Sequence, residues 1–99
     1  MNKMSEITSV FCLDANLTIT EVCGLQRNML EVLRSSSALI LDGSDVAKVD
    51  TAGIQLLTLF FRDAADRKLE IRWHGASERL QLAARQLGLD DILQLTSAD

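Results

Sequence analysis

The sequence predicts a small α/β domain in which amphipathic helices pack on a mixed, mostly parallel sheet. Three observations predict it. Short apolar or alternating segments, which read as strands, take turns with longer segments whose apolar residues recur at helical spacing. Each change of period is marked by a capping or turn residue, as at Asp50, Ser77 and Gly88. An order of this kind implies parallel strands joined by right-handed crossovers.

In residues 11–19 the odd positions Phe11, Leu13, Ala15, Leu17 and Ile19 are apolar while Asp14, Asn16 and Thr18 are polar. That alternation predicts an edge or antiparallel strand with one buried face. Thr18 or Thr20 can cap a first helix carrying Val22, Leu25, Met29, Val32 and Leu33, which runs to the serine cluster at 35–37. Residues 38–41 form an unbroken apolar run closed by Asp42 and Gly43, and the lack of alternation predicts a central strand covered on both faces. Residues 43–49 read as a loop. Asp50 then stands as the N-cap of a second helix that starts at Thr51 and contains the apolar-rich stretch 54–65.

A further strand is expected at 69–73, with Gly75 and Ala76 turning the chain. Ser77 caps a third helix carrying Leu80, Ala83, Ala84 and Leu87, and Gly88 ends it. Residues 92–95 form a last short element docked on the core. No internal repeat, linker or low-complexity segment interrupts this order, and the chain has no proline.

With 99 residues, 47% of them hydrophobic, the chain can build one core, so residues 1–99 are expected to form a single domain. Ten Lys and Arg against 14 Asp and Glu give a net charge of -4, which repels nucleic-acid backbones and anionic lipid. Residues 1–13 have neither the basic start nor the continuous apolar stretch of a signal peptide, so the expected location is the cytoplasm. The longest apolar candidate, 56–61, is broken by Thr58 and falls well short of the ~18 residues that span a bilayer. Cys12 and Cys23 form no CxxC pair or metal half-site and are expected to be buried or half-buried thiols without function.

Catalysis finds little support. The one histidine, His74, has no cysteine, histidine or acidic partner at ligand spacing, so it is expected to face solvent or bond locally, and no metal is implied. Ser77 lies near it but is explained as a helix cap rather than a nucleophile. Neither GxGxxG nor GxxxxGK[ST] occurs, which leaves nucleotide binding and cofactors without a motif. A response-regulator receiver would need acidic residues at an early strand end, a phosphorylatable Asp midway and a late Lys, and the order of elements fits that poorly.

The most informative segment runs from Asp42 through Gly43, Ser44, Asp45, Val46, Ala47, Lys48, Val49, Asp50, Thr51, Ala52 and Gly53 to Ile54. It compresses a strand end, a short loop and a capped helix start. Asp50 can accept a hydrogen bond from the amide of Ala52 or Gly53, which leaves the Thr51 hydroxyl at the positive end of the helix dipole. A phosphate would be tolerated there. Gly53 costs ~1 kcal/mol against Ala inside a helix, less in its first turn, and suggests that something approaches the backbone closely.

Val49-Asp50-Thr51-Ala52-Gly53 resembles the Asp-Ser-Ser/Ala-Gly motif of anti-sigma-factor antagonists in the STAS domain family. The likeness of pattern extends over nearly the whole chain, including the Leu87-Gly88-Leu89 turn. It implies a non-catalytic module that binds a protein partner: an anti-sigma factor of kinase type, a signalling scaffold or an ABC ATPase. In the antagonists the first hydroxyl of the motif is phosphorylated by the kinase that is also the binding partner, and phosphorylation weakens the complex. The matching residue is Thr51. Here Thr stands where Ser is usual and Ala52 replaces the second hydroxyl, leaving one acceptor. Thr also occurs at this position in STAS subunits of phospholipid-transport ABC complexes, where the helix docks on the ATPase and no phosphorylation is implied.

The expected partner-binding set is therefore Ser44, Lys48, Asp50, Thr51, Ala52 and Gly53, extended along the second helix by Gln55 and Leu59. At ~100° per residue, Ile54, Leu57 and Phe61 define the buried stripe, while Gln55, Asp63 and Asp66 mark the wet side. Leu59 falls among the wet positions beside Ala52, where it predicts a contact with a partner or a second copy in a homodimer.

Overall fold

The computed structural model describes residues 8–95. Residues 1–7, part of the segment read for targeting, lie outside it, as do residues 96–99. In order the elements are β1 (Thr8–Cys12), β2 (Asn16–Leu17), α1 (Val22–Ser35), β3 (Ala38–Gly43), β4 (Lys48–Val49), α2 (Thr51–Asp66), β5 (Glu70–Ala76) and α3 (Glu78–Gln86).

Strands β1, β3 and β5 form one sheet in the order β1-β3-β5, with both pairings parallel. β2 and β4 pair in parallel as a separate short ladder. Every described strand pairing is thus parallel, and the strand that opens the described chain is an edge strand but not an antiparallel one. The alternation at 11–19 is cut in two because the chain leaves the main sheet after Cys12 and rejoins a neighbour only at Asn16. Leu13 and Leu17 point into the core, whereas Ala15 and Ile19 are exposed.

Central strand β3 does not have two covered faces. Its burial alternates, with Leu39, Leu41 and Gly43 inward and Ala38, Ile40 and Asp42 half-buried. The inward face continues across β5 as Ile71, opposite Leu39. On the other face Val10 and Ile40 lie side by side, and Val10 is 64% exposed. An unbroken apolar run therefore marked a strand with one buried and one open face, because Ala38 and Ile40 tolerate half-burial.

Helix α2 packs against both α1 and α3 and reaches β5. Ile54 and Leu57 are fully buried, and Phe61 stacks on Trp73 of β5 with ring centroids 5.9 Å apart. Trp73 Nε1 donates to the Leu93 carbonyl at 2.8 Å, fastening the C-terminal turn, whose Leu93 and Leu95 are buried. Residues 92–95 thus dock on the core as turns rather than as a helix or strand.

Helix starts are governed by side-chain acceptors at α2 and α3. Ser77 Oγ accepts from the Leu80 amide at 3.1 Å, and α3 closes before Gly88, whose φ of 71° is a left-handed end. At α1 neither Thr18 nor Thr20 caps an amide. The Thr18 hydroxyl donates to the Glu21 carboxylate at 2.7 Å, and Glu21 itself occupies the cap position without its side chain accepting from a helix amide. β5 runs through Gly75 and Ala76, where a turn was expected, after a bulge that sets Asp42 opposite Gly75 and leaves His74 as the extra residue. Both cysteines are exposed, not buried: Cys12 lies on the open face of the sheet and Cys23 on the wet side of α1.

Candidate partner-binding site

The site is assembled from the end of β3, the short β2–β4 ladder and the first turn of α2. Asp42 is the penultimate residue of β3, and its Oδ1 accepts from the Ser44 hydroxyl at 2.6 Å and the Ser44 amide at 3.0 Å. The hydroxyl first, and then the amide, hold the Asp42 carboxyl below the ordinary carboxylate range. The loop then returns to the body of the protein. The Ala47 and Lys48 amides both reach the Ala15 carbonyl, at 2.8 and 3.0 Å, and β4 settles beside β2. What read as one loop from 43 to 49 contains a strand at its end.

Asp50 joins three segments. Its Oδ2 accepts from the Ile19 amide at 2.8 Å, its Oδ1 accepts from the Gly53 amide at 3.0 Å, and its own amide donates to the Leu17 carbonyl at 3.2 Å. The Ile19 contact, followed by the Gly53 contact, holds the carboxyl below its usual range. The N-cap is as the sequence predicts, starting α2 at Thr51. The bond to Ile19 is invisible to periodicity because it spans 31 positions.

Gly53 is buried, and the chain that approaches it is its own. A Cβ there would overlap the Leu17 carbonyl oxygen and stand 2.8 Å from Leu17 Cγ. Glycine lets β2 lie directly on the first turn of α2. That close approach is internal packing, so Gly53 supports the surface from beneath rather than presenting itself on it.

Of the remaining sequence-predicted residues, Ser44, Lys48, Thr51 and Gln55 are exposed, Asp50 and Ala52 are half-buried, and Leu59 is 58% exposed. The helical phase is the expected one: Ile54, Leu57 and Phe61 lie inside, while Gln55, Leu59 and Asp66 lie outside and Asp63 is half-buried. Leu59 also borders a cleft between α1 and α2 with Met29, Leu30 and Phe60. Thr58, the other hydroxyl of this helix, is buried and donates to the Ile54 carbonyl at 2.9 Å. Thr51 therefore offers the accessible hydroxyl of α2.

Among the described residues no cluster of three or more His, Cys, Asp or Glu has the spacing to hold a metal. His74 is exposed. No described helix is long and apolar enough to cross a membrane.

The chain matches the family described as Mlab, STAS domain, over residues 2–95. It belongs to the STAS domain family. STAS domains are protein-interaction modules, generally non-catalytic, and the α/β arrangement of this chain is theirs. A crystal structure of a sulfate transporter family protein from Wolinella succinogenes aligns with 87% of this chain and 70% of its own, with a TM-score of 0.70. At 20% sequence identity that likeness is one of fold. No curated protein sequence matches the chain.

Proposed function

We propose that this STAS domain is a non-catalytic regulatory module, one domain over residues 1–99 acting in the cytoplasm, that binds a protein partner through the start and outer face of α2. The observation that carries the reading is the accessible Thr51 on a helix start fixed from three sides by Asp50, followed on the same helix by exposed Gln55 and Leu59. Ser44 and Lys48 flank it from the preceding loop. A rigid polar helix end next to an exposed leucine suits a protein surface better than it suits a small molecule.

In its antagonist-like form the partner is a kinase-type anti-sigma factor or a signalling scaffold, and phosphorylation of Thr51 releases it. A phosphate at the first turn is favoured by the helix dipole and adds charge to the contact surface. In the second form the domain is the STAS subunit of a phospholipid-transport ABC complex and docks on its ATPase. One feature favours this second form: Thr51 stands where the antagonists usually carry Ser, and Thr also occurs at this position in the transport subunits.

Capture of the partner on the full chain, run in parallel with Thr51→Glu and Leu59→Asp, tests the reading. A protein retained by the wild type and lost with both variants supports it, and the identity of that protein, kinase-type or ABC ATPase, separates the two forms. A partner retained equally by all three proteins refutes the site.

A further inference from the structure

The chain carries a net charge of -4, yet one groove beside the start of α2 is lined by cations alone among its ionisable groups. Its walls are Thr18, Ala47, Lys48, Val49 and Arg79, brought together where α3 packs on β4. Val49 and Thr18 are half-buried and supply a partly apolar floor, while Lys48 and Arg79 are exposed. Neither cation takes part in an ion pair or hydrogen bond among the described residues, where the surface pair is Arg72 with Glu70. Asp50 is spent on backbone amides, and neither it, Asp45 nor Glu78 lines the groove.

Arg79 has no local reason for its charge. It is the second residue of α3, where a positive side chain runs against the helix dipole and an acidic one would stabilise. Helix stability therefore does not account for an arginine there, and Lys48, which lines the same groove, carries a charge of the same sign.

We infer that this groove receives an acidic side chain of the protein partner, with Arg79 and Lys48 as its two counter-charges. The inference rests on the partner-binding reading above and adds a specificity-determining residue, Arg79, from outside the motif. Lys48 and Val49 lead directly into Asp50 and Thr51, so a partner on α2 meets the groove at its margin. A guanidinium can bind a carboxylate through two parallel hydrogen bonds, and the ammonium adds a point charge.

The test uses the full chain, a fluorescent hexaglutamate peptide, its hexaglutamine counterpart and anionic phosphatidylserine vesicles, with backbone amide NMR as the readout. Hexaglutamate should shift the amides of Lys48, Val49 and Arg79 first, and hexaglutamine should not. Arg79→Glu and Lys48→Glu should each weaken peptide binding about fivefold or more at an ionic strength of about 0.01 M and less at 0.15 M, because exposed pairs are screened. Arg79→Lys should restore part of the affinity. Arg79→Glu should leave the thermal midpoint unchanged or raised, so lost binding cannot be ascribed to unfolding. Shifts spread evenly over Arg62, Arg67, Lys68 and Arg85, no shift at all, or shifts at Lys48 and Arg79 with vesicles but not with peptide would each overturn the inference. Partner capture that still depends on Thr51 and Leu59 after such a result would leave the wider reading standing.

Discussion

Asp50 does more than begin a helix. Both of its oxygens accept main-chain amides, one from α2 and one from Ile19, so the carboxylate form is the one the fold selects. Its pKa is lowered on folding, and the stability it contributes is complete above the unfolded value of about 3.9 and is lost as pH falls through the lower folded value. Asp42, lowered by the Ser44 hydroxyl and amide, adds to the same acid-side loss. Thermal midpoints measured from pH 7 down to pH 2 should therefore fall below pH 4 in the wild type. Asp50→Asn should flatten the Asp50 share of that fall, and a slope unchanged in Asp50→Asn would show that the carboxylate is not the linked group. Gly53→Ala should destabilise by about 1 to 3 kcal/mol in chemical denaturation, since the added methyl meets the Leu17 backbone as well as Leu17 Cγ, and the backbone cannot swing aside. A neutral result would mean that β2 can move away from α2. The sequence reached the cap at Asp50 and the tight approach at Gly53, because both are local signals. It could not say that Leu17 is what approaches, or that Asp50 also holds Ile19, because those contacts are set by tertiary folding.

Helix α2 is the element in which the exposed and buried faces separate most cleanly. Its inner stripe was legible because Ile54, Leu57 and Phe61 recur at helical spacing, and the same phase placed Leu59 outside. Leu59→Asp should leave the thermal midpoint of the isolated protein within experimental error and weaken partner binding or self-association at least tenfold, in line with the ~1.5 to 3 kcal/mol of burying one leucine. Leu57→Asp is the control and should prevent stable folding, because it buries an unpaired charge. A large fall in midpoint for Leu59→Asp would mean that the α1–α2 cleft needs that side chain for packing. The strands were read less well. The alternation at 11–19 hid a break between two ladders, and the extent of β5 was curtailed at Gly75, a residue whose turn preference yielded to pairing with Asp42. The alternation that turned Phe11 and Leu13 inward also turned Cys12 outward, and that signal was the better guide to its exposure than the usual burial of cysteine.

At the scale of the whole molecule, the main sheet and the helices packed on it place the β3 end, the β2–β4 ladder and the α2 start at one margin of the described residues. The alternation of strands and helices made the fold class legible, while the open second face of β3 was not, since an apolar run looks alike whether one face or two are covered. If the antagonist form operates, the cognate kinase with ATP should add a single phosphate, abolished in Thr51→Ala and kept in Thr58→Ala, because Thr58 is buried and its hydroxyl is bonded to Ile54. Phosphate found only at another residue would favour the ATPase-docking form. Both forms share the claim that the outer face of α2 is where the partner sits. The most direct test is the equilibrium affinity of the captured partner for wild type, Thr51→Glu and Leu59→Asp, each first shown to have the wild-type thermal midpoint. The account predicts at least tenfold weaker binding for both variants, and affinity equal to wild type in correctly folded variants would contradict it.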